Sequence, residues 1–202
     1  FHDEAHFAAS VFNRPAVFSK SLFGGAARFA GIATKQSAMF CNVRFAGAAD
    51  FSGASFTQFA DFGEASFAQA ANFGGASFIA LPRTSYEMDF PQYANFGNAT
   101  FAQDADFSKA TFTASVGFGK VTFAVSFNGA RFEGAYFEDV TFGQKADFRQ
   151  TSFAYVEPSF EALERRPRRA RFSAQADPQD YLFEARPESP HGFSCGEVTL
   201  LN

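Results

Sequence analysis

Phenylalanine recurs along this chain at intervals that alternate between five and six residues. From Phe40 the positions are 40, 45, 51, 56, 62, 67, 73 and 78, and they resume at 90, 96, 101, 107, 112, 118 and 123. Phe7, Phe12, Phe18, Phe23 and Phe29 follow the same rule, and Thr34 fills the slot before Phe40. Two residues before most of these positions stands a small residue: Ala49, Ala54, Ala60, Ala65, Ala71 and Ala76, and later Val116, Val121, Val125 and Val140. A separation of two puts both side chains on one side of an extended strand. The residue between them is polar (Asp50, Ser55, Asp61, Ser66, Asn72, Ser77) and faces outward. The pattern predicts strands of about three residues, each burying one small and one large side chain. The filler between them turns a corner, and Gly53, Gly63, Gly74, Gly75 and Gly97 suit that role.

A helix does not fit. At ~100° per residue, a step of five separates two Phe by roughly 140°, so they share no stripe. A flat coil of one eleven-residue unit leaves a lumen too thin for two Phe and two Ala. Two units per coil, about 22 residues with four sides, leave a square lumen that four Phe fill. Phe51 then stacks under Phe73 and Phe56 under Phe78, with strands ~4.8 Å apart.

The phrase A(D/N/S/T)Fxx, as in "ADFGE", "ASFAQ", "ANFGN" and "ARFEG", resembles the pentapeptide-repeat proteins in their Phe-rich variant. The likeness covers roughly residues 1–153. It implies a right-handed quadrilateral β-helix, with Phe at the central inward position and Ala two before it. The six-residue sides depart from the strict family pattern, so wider corners are expected on two opposite edges. The fold expected is all-β: a β-solenoid of about seven coils over residues 1–157. An irregular segment, 158–202, follows as a cap, degenerate coils or the start of a small β domain.

Three breaks interrupt the rhythm. Phe78 to Phe90 is twelve residues where eleven are due, which reads as a one-residue insertion at a corner. Phe123 to Phe127 is a step of four, which shortens one coil to about twenty. After Phe153 the rhythm fails, and Glu161–Phe172 packs five Arg and a Pro into a run that reads as a solvated loop or short helix.

Composition narrows the function. The chain of 202 residues has 32 Phe, no Trp and a net charge of −4, which argues against a nucleic-acid binder. No apolar run is long enough to span a membrane. Cys41 and Cys195 suggest no disulfide framework. The chain starts in mid-phrase and reads as a piece of a longer protein; no signal peptide is visible, and a cytoplasmic setting is favoured. "GFSCG", Gly192–Gly196, matches a nucleophile elbow, but no His follows it to complete a triad. His2 and His6 fall one strand apart and read as surface residues rather than a zinc pair. No catalytic, cofactor or metal residues are assigned.

The outward positions are the surface left for function. In 22-residue coils Asp50, Asn72 and Asn95 would share one side, and Ser55, Ser77, Thr100 and Thr122 the next. The candidate partner-binding residues are Asp50, Asp61, Asp104, Asp106, Glu133, Glu138 and Asp139. The expected function is a non-enzymatic scaffold or interaction module with a protein partner and without direct nucleic-acid contact; end-to-end dimers fit such a rod. The alternative, implied by the resemblance alone, is a DNA mimic that binds gyrase. That role needs dense charge on one side. Residues 1–157 hold 14 acids against 11 bases, with Lys109, Lys120, Arg131, Lys145 and Arg149 interspersed.

Overall fold

A computed structural model describes residues 1–79, 92–136, 140–147, 151–153, 171–173 and 199–201. Among them the secondary structure is β throughout, with no helix. Ala5–His6, Val11–Phe12, Ala16–Val17 and Leu22–Phe23 form the four sides of the first turn. Each begins a parallel ladder. On the first side Ala5 pairs with Ala27, Ala27 with Ala49 and Ala49 with Ala71, so a turn takes 22 residues. The second, third and fourth sides repeat this from Val11, Ala16 and Leu22. The chain is a parallel β-solenoid. About five turns are regular, fewer than the seven expected. Arg171–Ser173 and Thr199–Leu201 add two further strands to the fourth side, so part of the tail joins the ladder.

The alternating step has a structural cause. Each five-residue step is a tight corner in which the third residue after the Phe donates to the Phe carbonyl, as Ser10 N–H does to Phe7 O (3.0 Å) and Ala54 N–H to Phe51 O (3.1 Å). The residue before that donor takes a positive φ once per unit: Ala9, Lys20, Gly31, Asn42, Gly53, Glu64 and Gly75. This is the third position of a type II turn, which favours Gly. The six-residue steps form the wide corners between, so tight and wide corners alternate around the square.

The first break is larger than its spacing suggests. Ala60 pairs with Ala94, Ala71 with Ala105 and Phe78 with Phe112, each 34 residues on rather than 22. Twelve more residues than in a regular coil therefore separate Phe78, in the second-side strand Ser77–Phe78, from Ala94, in the third-side strand Gln92–Asn95. Twelve is one repeat unit plus one, so Phe90 mimics a resumed slot in the sequence. Leu81, Pro82 and Phe90 lie outside the described residues. The second break behaves as expected: Ala105 pairs with Val125, a coil of twenty.

The lumen is a lattice of rings. Along each side they stack nearly parallel: Phe29 on Phe51 (4.8 Å, 2°), Phe51 on Phe73 (5.0 Å, 2°) and Phe62 on Phe96 (5.0 Å, 2°). Between the first and third sides they meet edge to face: Phe40 with Phe51 (5.2 Å, 86°) and Phe51 with Phe62 (5.2 Å, 87°). The inward Ala residues are also buried, and their small size brings the backbone close enough for the rings to meet.

Thr34 is the one flaw in the regular turns. It lies between Phe12 and Phe56 on the second side. It is fully buried, and its Oγ1 has no hydrogen-bond partner. The usual Ala two positions earlier is replaced by the buried Ile32, so a larger neighbour fills space that a ring would take. A buried hydroxyl without a partner costs about 1–3 kcal/mol. Thr34→Val keeps the shape and removes that cost, and is expected to raise unfolding free energy by about 1–2 kcal/mol in urea titration. Equal or lower stability would show that the hydroxyl is satisfied in solution.

Candidate interaction surface

The outward position of each strand is read from the same ladders. The excursion shifts the expected columns. The first side carries His6, Arg28, Asp50, Asn72, Asp106 and Ser126. The third carries Val17, Met39, Asp61 and Asn95. Asn95 therefore stands above Asp61 rather than above Asn72. Ser55 and Ser77 continue to Thr111 on the second side, while Thr100 stands above Ser66 and below Thr122 on the fourth.

The choice between Asp/Asn and Ser/Thr at these positions follows the corner that comes next. From Asp50 to Asp106 the residue before a tight corner is Asp or Asn, and its side chain accepts the N–H two residues on. Asp50 takes Ser52 N–H (3.0 Å), Asp61 takes Gly63 N–H (2.9 Å) and Asn72 takes Gly74 N–H (2.8 Å). Asn95 and Asp106 do the same for Gly97 and Ser108. These are Asx turns, in which a carboxylate or amide oxygen satisfies a corner donor. From Ser55 to Thr122 the position before a wide corner is Ser or Thr. Gly63 also marks a close approach: a Cβ there would stand 2.8 Å from Asn95 Nδ2.

The candidate acids thus separate. Asp50 and Asp106 share the first side, with Asn72 between them, while Asp61 lies on the third side, where Asn95 Nδ2 donates to it (2.9 Å). Asp104 and Asp106 line a shallow cavity of about 230 Å³ where the coil shortens, together with Ser108, Val125 and Ser126. Ser108 and Ser126 are neighbours in this coil of twenty residues, their hydroxyls 2.8 Å apart. Glu133 lies on the strand Arg131–Tyr136, and Glu138 and Asp139 lie outside the described residues. The structure does not unite the seven into one surface.

At the first turn Glu4 accepts from Arg28 Nε (3.2 Å) and Nη2 (3.3 Å) and lies 3.1 Å from His6 Nε2. The Arg28 guanidinium holds the Glu4 carboxyl below its usual range, helped by His6. His6 points outward, as its register implies. No group of three metal-binding side chains occurs among the described residues. None of their helices could cross a membrane, since they form none. Ser194 lies outside them, as does the Arg-rich stretch 165–171 except for Arg171, which begins the strand Arg171–Ser173.

No protein-family model matches the chain, and no curated protein matches it.

The Asx turns make a prediction that exposure alone would not. Asp61→Ala removes two hydrogen bonds and is expected to cost about 1–2 kcal/mol in urea denaturation. Asp104→Ala, at an exposed position before the strand, stays within about 0.5 kcal/mol of the parent. Equal effects would mean that the outward carboxylates serve solvation rather than corner geometry.

Proposed function

We propose that the chain belongs with the pentapeptide-repeat proteins and acts as a non-enzymatic rigid scaffold that presents its sides to a protein partner. The reading is carried by the division of residue types between inside and outside. Apart from Ile32 and Thr34, lumen positions hold Phe, Ala and Val, closely packed. Chemical variety is confined to the outward slots and corners, which the backbone ladders hold at fixed spacing. Such a surface displays groups at ~4.8 Å intervals along each side.

The acidic residues support duplex mimicry less well. Asp50, Asp61 and Asp106 each accept a corner N–H, and they stand on two different sides. DNA carries roughly one charge per 1.7 Å of axis, far denser than these columns.

Photo-crosslinking residues placed singly at Ser55, Asn72, Asn95 and Thr100 sample the four sides. A scaffold gives a protein crosslink from one side or from two adjacent sides. In a supercoiling assay the same protein leaves DNA gyrase unaffected. Dose-dependent inhibition, weakened by Asp104→Lys and Asp106→Lys, would replace the scaffold with a mimic.

A further inference from the structure

The outward slots obey a polar rule from the third turn onward. Ser55, Ser77 and Thr111 occupy the second side, Asp61 and Asn95 the third, Ser66 and Thr100 the fourth. The first two turns break that rule. Their outward slots hold Val11 and Ala33, Val17 and Met39, Leu22 and Arg44. Val11, Val17 and Leu22 are 56%, 67% and 48% exposed. They project from the sides of the rod, not along its axis, so no stacking of turns covers them. They stand one on each of three successive sides, at slots that are polar in the later turns.

Charge breaks in the same turns. Residues 1–44 contain five Lys and Arg against Asp3 and Glu4, while residues 45–108 contain one Arg against seven acids. Arg28 is held by Glu4 on the first side. The other four cations frame the apolar slots. Arg14 and Lys35 stand in the wide corners between the second and third sides, Lys20 in the tight corner between the third and fourth, and Arg44 on the fourth. All four are exposed, and no acid lies between residues 5 and 49. Lys20 holds a positive φ (61°) at a position that favours Gly, which points a long cationic side chain out of the corner.

We propose that the first two turns bind the surface of an anionic lipid bilayer through their second, third and fourth sides, with Val11, Val17 and Leu22 entering the headgroup layer and Arg14, Lys20, Lys35 and Arg44 meeting lipid phosphates and carboxylates. Apolar side chains interleaved with Lys and Arg are the chemistry of interfacial membrane binding. The apolar residues stand singly, parted by cations, and the patch bends around two corners. A fluid headgroup layer conforms to such a surface, whereas a folded partner needs one contiguous, complementary face. Two rungs span ~10 Å, comparable with the depth interfacial elements reach. Asp61 and Glu64, on the next turn, are repelled by an anionic surface and set the limit of contact. The inference is independent of the scaffold reading, since it concerns turns and residues that reading does not use.

The test is co-sedimentation of the full chain with phosphatidylcholine vesicles, with and without phosphatidylserine. The chain is expected to pellet with the anionic vesicles only, and less so as salt rises. The Arg14→Glu, Lys20→Glu, Lys35→Glu, Arg44→Glu variant loses at least about tenfold in binding, because each cation near such a surface contributes roughly fivefold. Val17→Ser with Leu22→Ser loses severalfold; it folds by the rule of the later turns, which carry polar residues at these slots (Asp61 and Asn95, Ser66 and Thr100), and circular dichroism confirms it. The proposal is overturned if the parent stays in the supernatant with anionic vesicles, pellets equally with neutral ones, or is matched by either variant. Equal binding to soluble polyglutamate, insensitive to the Ser variant, would overturn it in favour of an acidic protein.

Discussion

A flat aromatic ring is nearly as thick as the gap between paired strands. Neighbouring strands lie ~4.8 Å apart. Rings stacked on one side of this rod have centroids 4.7 Å apart at Phe67–Phe101, 4.8 Å at Phe29–Phe51 and 5.0 Å at Phe51–Phe73. One ring per rung therefore fills the lumen without stretching the backbone ladder, and a slight offset gives the favoured stacking geometry. The rest follows from this match. The partner slot must be small, hence Ala, and occasionally Val. Four sides are needed so that rings of opposite sides can meet edge to face across the lumen, as Phe40 and Phe51 do. The corners must then alternate between tight and wide, and the five-six spacing of Phe records that alternation.

Most of this was legible in the sequence because a lumen position leaves little choice. The inward pair, the 22-residue coil, the stacking of Phe51 on Phe73 and the shortened coil at Phe123–Phe127 all follow from spacing alone. The length of the first break was not legible. A twelve-residue excursion and a one-residue insertion leave the same frame, because an inserted unit carrying its own Phe keeps the count. Only the pairing of Ala60 with Ala94 separates them, and the outward columns shift with it. The alternation of Asp/Asn with Ser/Thr was visible from Asp50 to Ser77, but its cause appears only when Asp61 and Asn72 are seen to accept the corner N–H groups that follow.

Function is less legible than fold for a related reason. Residues that the lattice dictates carry no information about partners. Those Asp and Asn that close corners, Asp50 and Asp106 among them, are only partly free to signal function. What remains informative is departure from the chain's own rule: apolar outward slots at Val17 and Leu22, and the crowding of cations into the same two turns.

If the ring lattice is what holds the turns together, neighbouring rings must stabilise each other beyond the area each one buries. A double-mutant cycle on Phe40→Leu and Phe51→Leu measures this, since the two rings meet at 5.2 Å and 86° and belong to different sides. Leucine keeps the apolar character and most of the volume while removing the ring. Unfolding free energies from urea titration should give a coupling of about 0.5–1.5 kcal/mol between the two rings. Strict additivity, with each Leu costing only its own packing loss, would show that the lumen is held by burial alone and that the aromatic lattice is incidental.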